Sequence, residues 1–66
     1  MEPADRAITE REAAQVLGLS VATLRAWRHR NRGPKYLQLG RAIRYRQSDL
    51  DEFVRDCLVL QEKRTA

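Results

Sequence analysis

The stretch Leu17-Gly18-Leu19-Ser20-Val21-Ala22-Thr23-Leu24-Arg25-Ala26-Trp27-Arg28-His29-Arg30 decides how this chain folds. Gly18 tolerates a left-handed C′ conformation and so stops a helix. Ser20 is a good N-cap and starts another, with Thr23 at its third helical position. Only Gly18, Leu19 and Ser20 separate the two, with Leu19 as an apolar plug. A turn that short, with glycine in it, is the mark of a helix-turn-helix. Upstream, Ile8-Thr9-x-x-Glu12 reads as a capping box. Thr9 and Glu12 satisfy each other's amides and Ile8 staples onto Ala13. The first helix is therefore predicted over Glu10 to Leu17, with Ala13, Ala14 and Leu17 facing inward. Met1 to Ala7 reads as a loose arm. Downstream, the second helix is predicted over Val21 to Arg30, until Asn31-Arg32-Gly33-Pro34 breaks it.

Helical geometry, at about 100° per residue, divides the second helix into two faces. Ser20, Leu24 and Trp27 share the core side. Ala22, Arg25, Ala26 and His29 share the opposite side, with Val21 and Arg28 at the border. The outer face thus alternates small residues, which let a backbone approach a groove floor, with long polar ones that could reach base edges. His29 also has a simpler role open to it, at the carbonyl end of the helix dipole.

Beyond the break, Leu37 and Leu39 share one parity and Ile43 and Tyr45 share another, which is a hairpin. If all four face the core, a three-residue Gly40-Arg41-Ala42 connection is required, pairing Leu39 with Ile43 and Leu37 with Tyr45. Gln38, Arg44 and Arg46 then face outward and Arg41 sits at the tip, as in a wing. Ser48 reads as the cap of a last helix, with Asp49, Asp51 and Glu52 at the favourable end of its dipole. Leu50, Phe53, Val54, Cys57 and Leu58 form its expected core stripe, so Cys57 reads as a small buried hydrophobe. Val59 lies about 180° from that stripe and Leu60 at its edge, an apolar pair that either reflects fraying at the chain end or offers a protein contact.

Charge is distributed one-sidedly. Between Arg25 and Arg46 stand eight basic side chains, Arg25, Arg28, Arg30, Arg32, Lys35, Arg41, Arg44 and Arg46, and none of the chain's nine acids. Such a split points to one cationic surface facing a polyanion. Arginine dominates the window, and its planar fork suits phosphates and guanine edges.

Sixty-six residues allow one domain with a small core. The expected division is an arm over 1–7, a winged helix-turn-helix over 8–60 and a tail over 61–66. The fold class is mainly α with a small β-hairpin. The chain has no apolar run long enough for a transmembrane helix, and its start, Met1 to Arg6, is short, polar and mixed in charge and is not expected to act as a signal peptide. Its lone cysteine, Cys57, fits a reducing cytoplasm. One Cys and one His cannot build a standard zinc site, and no nucleophile–base set or glycine-rich phosphate loop appears. The expectation is a protein that is not an enzyme and uses no cofactor, metal or small-molecule substrate.

Ile8-Thr9, Glu12-Ala13-Ala14, Leu17 to Ser20, Thr23-Leu24, Trp27, Gly33-Pro34, Leu39-Gly40-Arg41, Ile43-Arg44-Tyr45 and Ser48-Asp49-Leu50 occur in an order that resembles the excisionase family. These are small MerR-like winged helix-turn-helix proteins of phages and mobile elements, also called recombination directionality factors. The resemblance spans about Ile8 to Phe53. It implies binding and bending of DNA near attachment sites in a bacterial host cell. It also implies an effect on a site-specific integrase, turned from integration toward excision, and self-association on DNA. It makes the second helix resemble a recognition helix and Arg41 a wing tip. With the basic window and the outer face of that helix, the expected DNA-binding set is Ser20, Ala22, Thr23, Arg25, Ala26, Arg28, His29, Arg30, Arg32, Lys35, Arg41, Arg44 and Arg46. Val21 and Ala22 are apolar here where such proteins often carry long polar residues, which shifts specificity toward DNA shape. A transcription regulator of the same fold is the alternative. A module whose basic face docks an acidic protein is a third reading, separable by the salt dependence of duplex binding.

Overall fold

The computed structural model describes residues 6–59, as six elements in the order β1 (Ala7–Thr9), α1 (Glu10–Leu17), α2 (Val21–His29), β2 (Leu37–Leu39), β3 (Ala42–Arg46) and α3 (Gln47–Asp56). This is a winged helix-turn-helix: three helices with a three-stranded antiparallel sheet of order β1-β3-β2.

The helix-turn-helix is built from local chemistry. The Thr9 hydroxyl accepts from the Glu12 amide at 3.0 Å, while the Thr9 amide donates to the Glu12 carboxylate at 2.9 Å. Gly18 takes φ +69°, and the Leu19 amide closes back on the Ala14 carbonyl at 2.9 Å. The Ser20 hydroxyl then caps α2 by accepting from the Thr23 amide at 3.1 Å. At the far end, Asn31 adopts the left-handed conformation, φ +58°, with the Arg32 amide donating to the Trp27 carbonyl at 2.7 Å. Asn is one of the few residues beside Gly that this closure accepts. Leu19 is no plug: it is 37% exposed. Ser20, assigned to the core side, is exposed as well, because its hydroxyl is spent on the cap.

The hairpin differs from the sequence expectation in register. Leu39 pairs with Ala42, Gln38 with Ile43 and Leu37 with Arg44, so the turn is the two-residue Gly40-Arg41, not the three-residue connection. Gly40, at φ +65°, is the first of the two turn residues, where a tight hairpin demands positive φ. The face rule failed because the sheet has a third strand. Ile8 pairs with Tyr45, and these two, with Ile43, form the inward face. Leu37 and Leu39 lie on the other face, and Leu39 is 56% exposed. Gln38 consequently shares the Ile43 face, whereas Arg44 and Arg46 share that of Leu37. Ala7, expected in a loose arm, belongs to β1; residues 1–5 lie outside the described residues.

The last helix also starts differently. Its N-cap is Arg46, not Ser48, with no side-chain hydrogen bond to the cap. Arg46 is paired with Ala7 across the sheet, so β3 hands directly into α3 and the sheet, not a serine, sets the start. Asp49 is buried there and accepts from Arg46 Nε at 2.8 Å. Only the first half of the expected core stripe is covered. Leu50 is fully buried and Phe53 half-buried, while Val54 and Leu58 are exposed and Cys57 is exposed rather than a buried hydrophobe. A periodic stripe records which residues share a face, not how far the opposing surface extends.

The core consists of Ile8, Ala13, Ala14, Leu24, Tyr45 and Leu50, with Leu17, Val21, Trp27 and Ile43 packed around it. Trp27 packs in a tilted geometry on Phe53, with ring centroids 5.7 Å apart, and its side chain leaves no room for a Cβ on Gly33. That contact fastens the post-helix break to α2.

Candidate nucleic-acid interface

An open cleft of about 780 Å³ lies between the start of α1, the first two turns of α2 and the wing formed by β2 and β3. Each wall follows from a local rule. The capping box at Thr9 fixes where α1 begins, the Ser20 cap fixes the phase of α2, and the tight Gly40-Arg41 turn projects the wing. Five arginines line the cleft: Arg11, Arg25, Arg28, Arg41 and Arg44.

The site residues expected from sequence divide into two groups. Arg25, Arg28, Arg41 and Arg44 are brought together in the cleft. Ala22, Ala26 and His29 are exposed on α2, as expected, and Arg30 is exposed at its C-cap. Ser20 and Thr23 lie at the N-terminus of α2 with their hydroxyls hydrogen-bonded to each other at 2.9 Å. Lys35 and Arg46 lie elsewhere. Lys35 faces Glu52 of α3 at 3.9 Å, an exposed pair worth little, and Arg46 holds Asp49. Arg32 is exposed in the loop after α2. Of the expected protein contacts, Val59 is 60% exposed but lies past the end of α3, so its helical angle has no meaning; Leu60 lies outside the described residues.

The arginines of the cleft are not equivalent. Arg41, at the wing tip, is exposed and enters no ion pair among the described residues. Arg44 is half-buried, with its guanidinium donating to the Ile43 carbonyl at 2.8 Å. Arg25 is 56% exposed and donates from Nε to Glu10 at 2.9 Å. Arg28, by contrast, is integrated into the fold: it reaches the other Glu10 oxygen at 3.5 Å and lies 5.8 Å over the Tyr36 ring. Tyr36 is in turn tilted against buried Tyr45 at 6.2 Å. Burial pushes the Tyr45 phenol above its ordinary value, with the Arg28 charge opposing.

Two lining residues escaped the charge reading, Glu10 and Arg11, because both precede the basic window in the chain. The signal that could have found them is the helix-turn-helix itself, which folds the start of α1 back beside α2. Among the described residues, no cluster of His, Cys, Asp and Glu could hold a metal ion, and no helix is long and apolar enough to cross a membrane.

Residues 8–58 match the family described as helix-turn-helix domain. The chain belongs to that family. No curated protein and no solved structure matches it. Helix-turn-helix domains place their second helix in the major groove of a duplex. Here that helix is α2, whose outward face is exposed beside an arginine-lined cleft, so the partner class of this helix-turn-helix domain is double-stranded DNA.

Proposed function

We propose that this domain is an architectural DNA-binding protein of the excisionase kind. It binds and bends DNA near attachment sites and directs a site-specific integrase toward excision of a phage or mobile element. It does no bond chemistry itself and works in the cytoplasm of a bacterial host. The observation that carries the reading is the single cleft in which α2 and the wing present arginines together. Arg25 with Ala22, Ala26 and His29 faces the major groove, and Arg41 reaches an adjacent minor groove or its phosphates, where a narrow A·T-rich groove holds the deepest negative potential.

A domain this small reads few bases, so several copies bind side by side, the acids of α3 such as Asp51 and Asp56 toward a neighbour's basic wing. The test is recombination in a purified system containing the integrase and attachment-site DNA. Adding this protein should promote excision and suppress integration. Unchanged recombination together with occupancy of a promoter would make it a transcription regulator instead.

A further inference from the structure

We infer that Glu10 is a positioning residue which sets the base selectivity of Arg25 and lowers affinity for DNA in general; this rests on the cleft being a DNA-binding surface. Glu10 is the one acid among the residues lining the cleft, set among five arginines. A carboxylate there repels a polyanion, so its presence needs a reason other than affinity. Its place in the first turn of α1 suits the helix dipole, but the cap itself is complete in Thr9 and Glu12, so the dipole accounts for a charge there and not for its arrangement between two arginines.

Its geometry supplies one. The Glu10 side chain is only 18% exposed, and its two oxygens are divided between two arginines. One accepts from Arg25 Nε at 2.9 Å, the other from Arg28 Nη2 at 3.5 Å. Arg28 is held in turn by the Tyr36 ring, so the carboxylate is anchored from behind. Arg25 is thereby grasped at Nε, while Nη1 and Nη2, the end of the fork that meets guanine O6 and N7 side by side, remain available. A long side chain fixed before binding loses less freedom on contact and tolerates fewer wrong bases. Released from Glu10, the same guanidinium could turn to the nearest phosphate, which gives affinity without sequence information.

Selection of bound duplexes from a randomised library, with the wild type, Glu10→Gln, Glu10→Asp and Arg25→Ala, tests this once melting curves establish that each variant folds. Arg25→Ala should flatten base preference at the steps Arg25 reads. Glu10→Gln should flatten the same steps although Arg25 is intact, removing much of the ~5- to 150-fold discrimination of a bidentate contact. It should also bind a mixed-sequence duplex several-fold more tightly, with a log–log salt slope steeper by about one. Glu10→Asp keeps the charge but loses the reach, and should flatten the same steps with a smaller gain in affinity for the mixed-sequence duplex than Glu10→Gln, because the repelling carboxylate remains. An unchanged motif in Glu10→Gln overturns the inference, whether or not affinity rises, because Glu10 would then be a placeholder. A wild type without salt-dependent duplex binding overturns the DNA reading beneath it.

Discussion

Residues 9–30 and residues 37–56 are held by interactions of different range. In the helix-turn-helix, boundaries are set by neighbours a few positions away: Thr9 with Glu12, Ala14 with Leu19, Ser20 with Thr23, Trp27 with Arg32. In the hairpin and α3, they are set by the distant β1, through Ile8 opposite Tyr45 and Ala7 opposite Arg46. The two regions also differ in burial. The first contributes Ala13, Ala14 and Leu24 to the core. The second contributes Tyr45 and Leu50 through β3 and α3, whereas β2, the outer strand of the wing, adds nothing to the core and leaves Leu39 56% exposed. Each region also keeps apolar residues at the surface, Val16 and Leu19 in the first and Val54 in the second. The first is therefore the anchor of the fold. The wing is an arm attached to the core through one inward strand face, that of Ile43 and Tyr45.

The sharpest way to break this distinction is in the anchor. Leu24 is fully buried, so Leu24→Ala should cost ~2–5 kcal/mol, a large part of the ~5–15 kcal/mol available to a domain. Denaturant titration reads it directly. A smaller loss belongs to the joint between the regions. Gly33 has φ +85°, and a Cβ there would lie 2.9 Å from Trp27 Cε3. Gly33→Ala should destabilise by about 1–3 kcal/mol through backbone strain and displacement of the indole. An unchanged denaturation midpoint would mean that Trp27 does not tie the break to α2.

Smaller again is the cap. Thr9→Ala should cost about 1 kcal/mol. The Thr9 amide and hydroxyl hold the Glu12 carboxyl below its ordinary value. The cap's contribution is thus complete above the unfolded carboxylate value and is lost as pH falls through the lower folded one. Denaturation followed into acid should show that loss in the wild type and less of it in Thr9→Ala. The smallest effect should lie in the wing, where exposed Leu39→Ala should stay within about 0.5 kcal/mol. A loss there matching that of Leu24→Ala would erase the difference between anchor and arm.

The same difference explains what could be read in advance. Both helices of the helix-turn-helix, their caps and the outward face of α2 were legible, since each depends on residues within a turn or two. The hairpin was legible as a hairpin, but its register was not. Placing all four alternating apolar residues inward presumes a two-stranded wing, and reading Ile8 as a staple leaves no sign of a third strand. Ser48 lost the cap for the same reason, since β1 pairing extends β3 to Arg46. Val54 is exposed because a small domain runs out of opposing surface, and Cys57 and Leu58 leave the stripe because α3 ends at Asp56. In the site, Arg25, Arg28, Arg41 and Arg44 were found by local charge. Glu10 was not, because its meaning comes from a partner brought near by the fold.

The central claim is that the arginines of the α2–wing cleft meet the phosphates of a duplex. Titration of double-stranded DNA over a range of salt concentrations tests it most directly. With about four to six phosphate contacts, the logarithm of affinity should fall against the logarithm of salt with a slope of roughly −4 to −5. A slope near zero, or no binding to duplex at low salt, would contradict it.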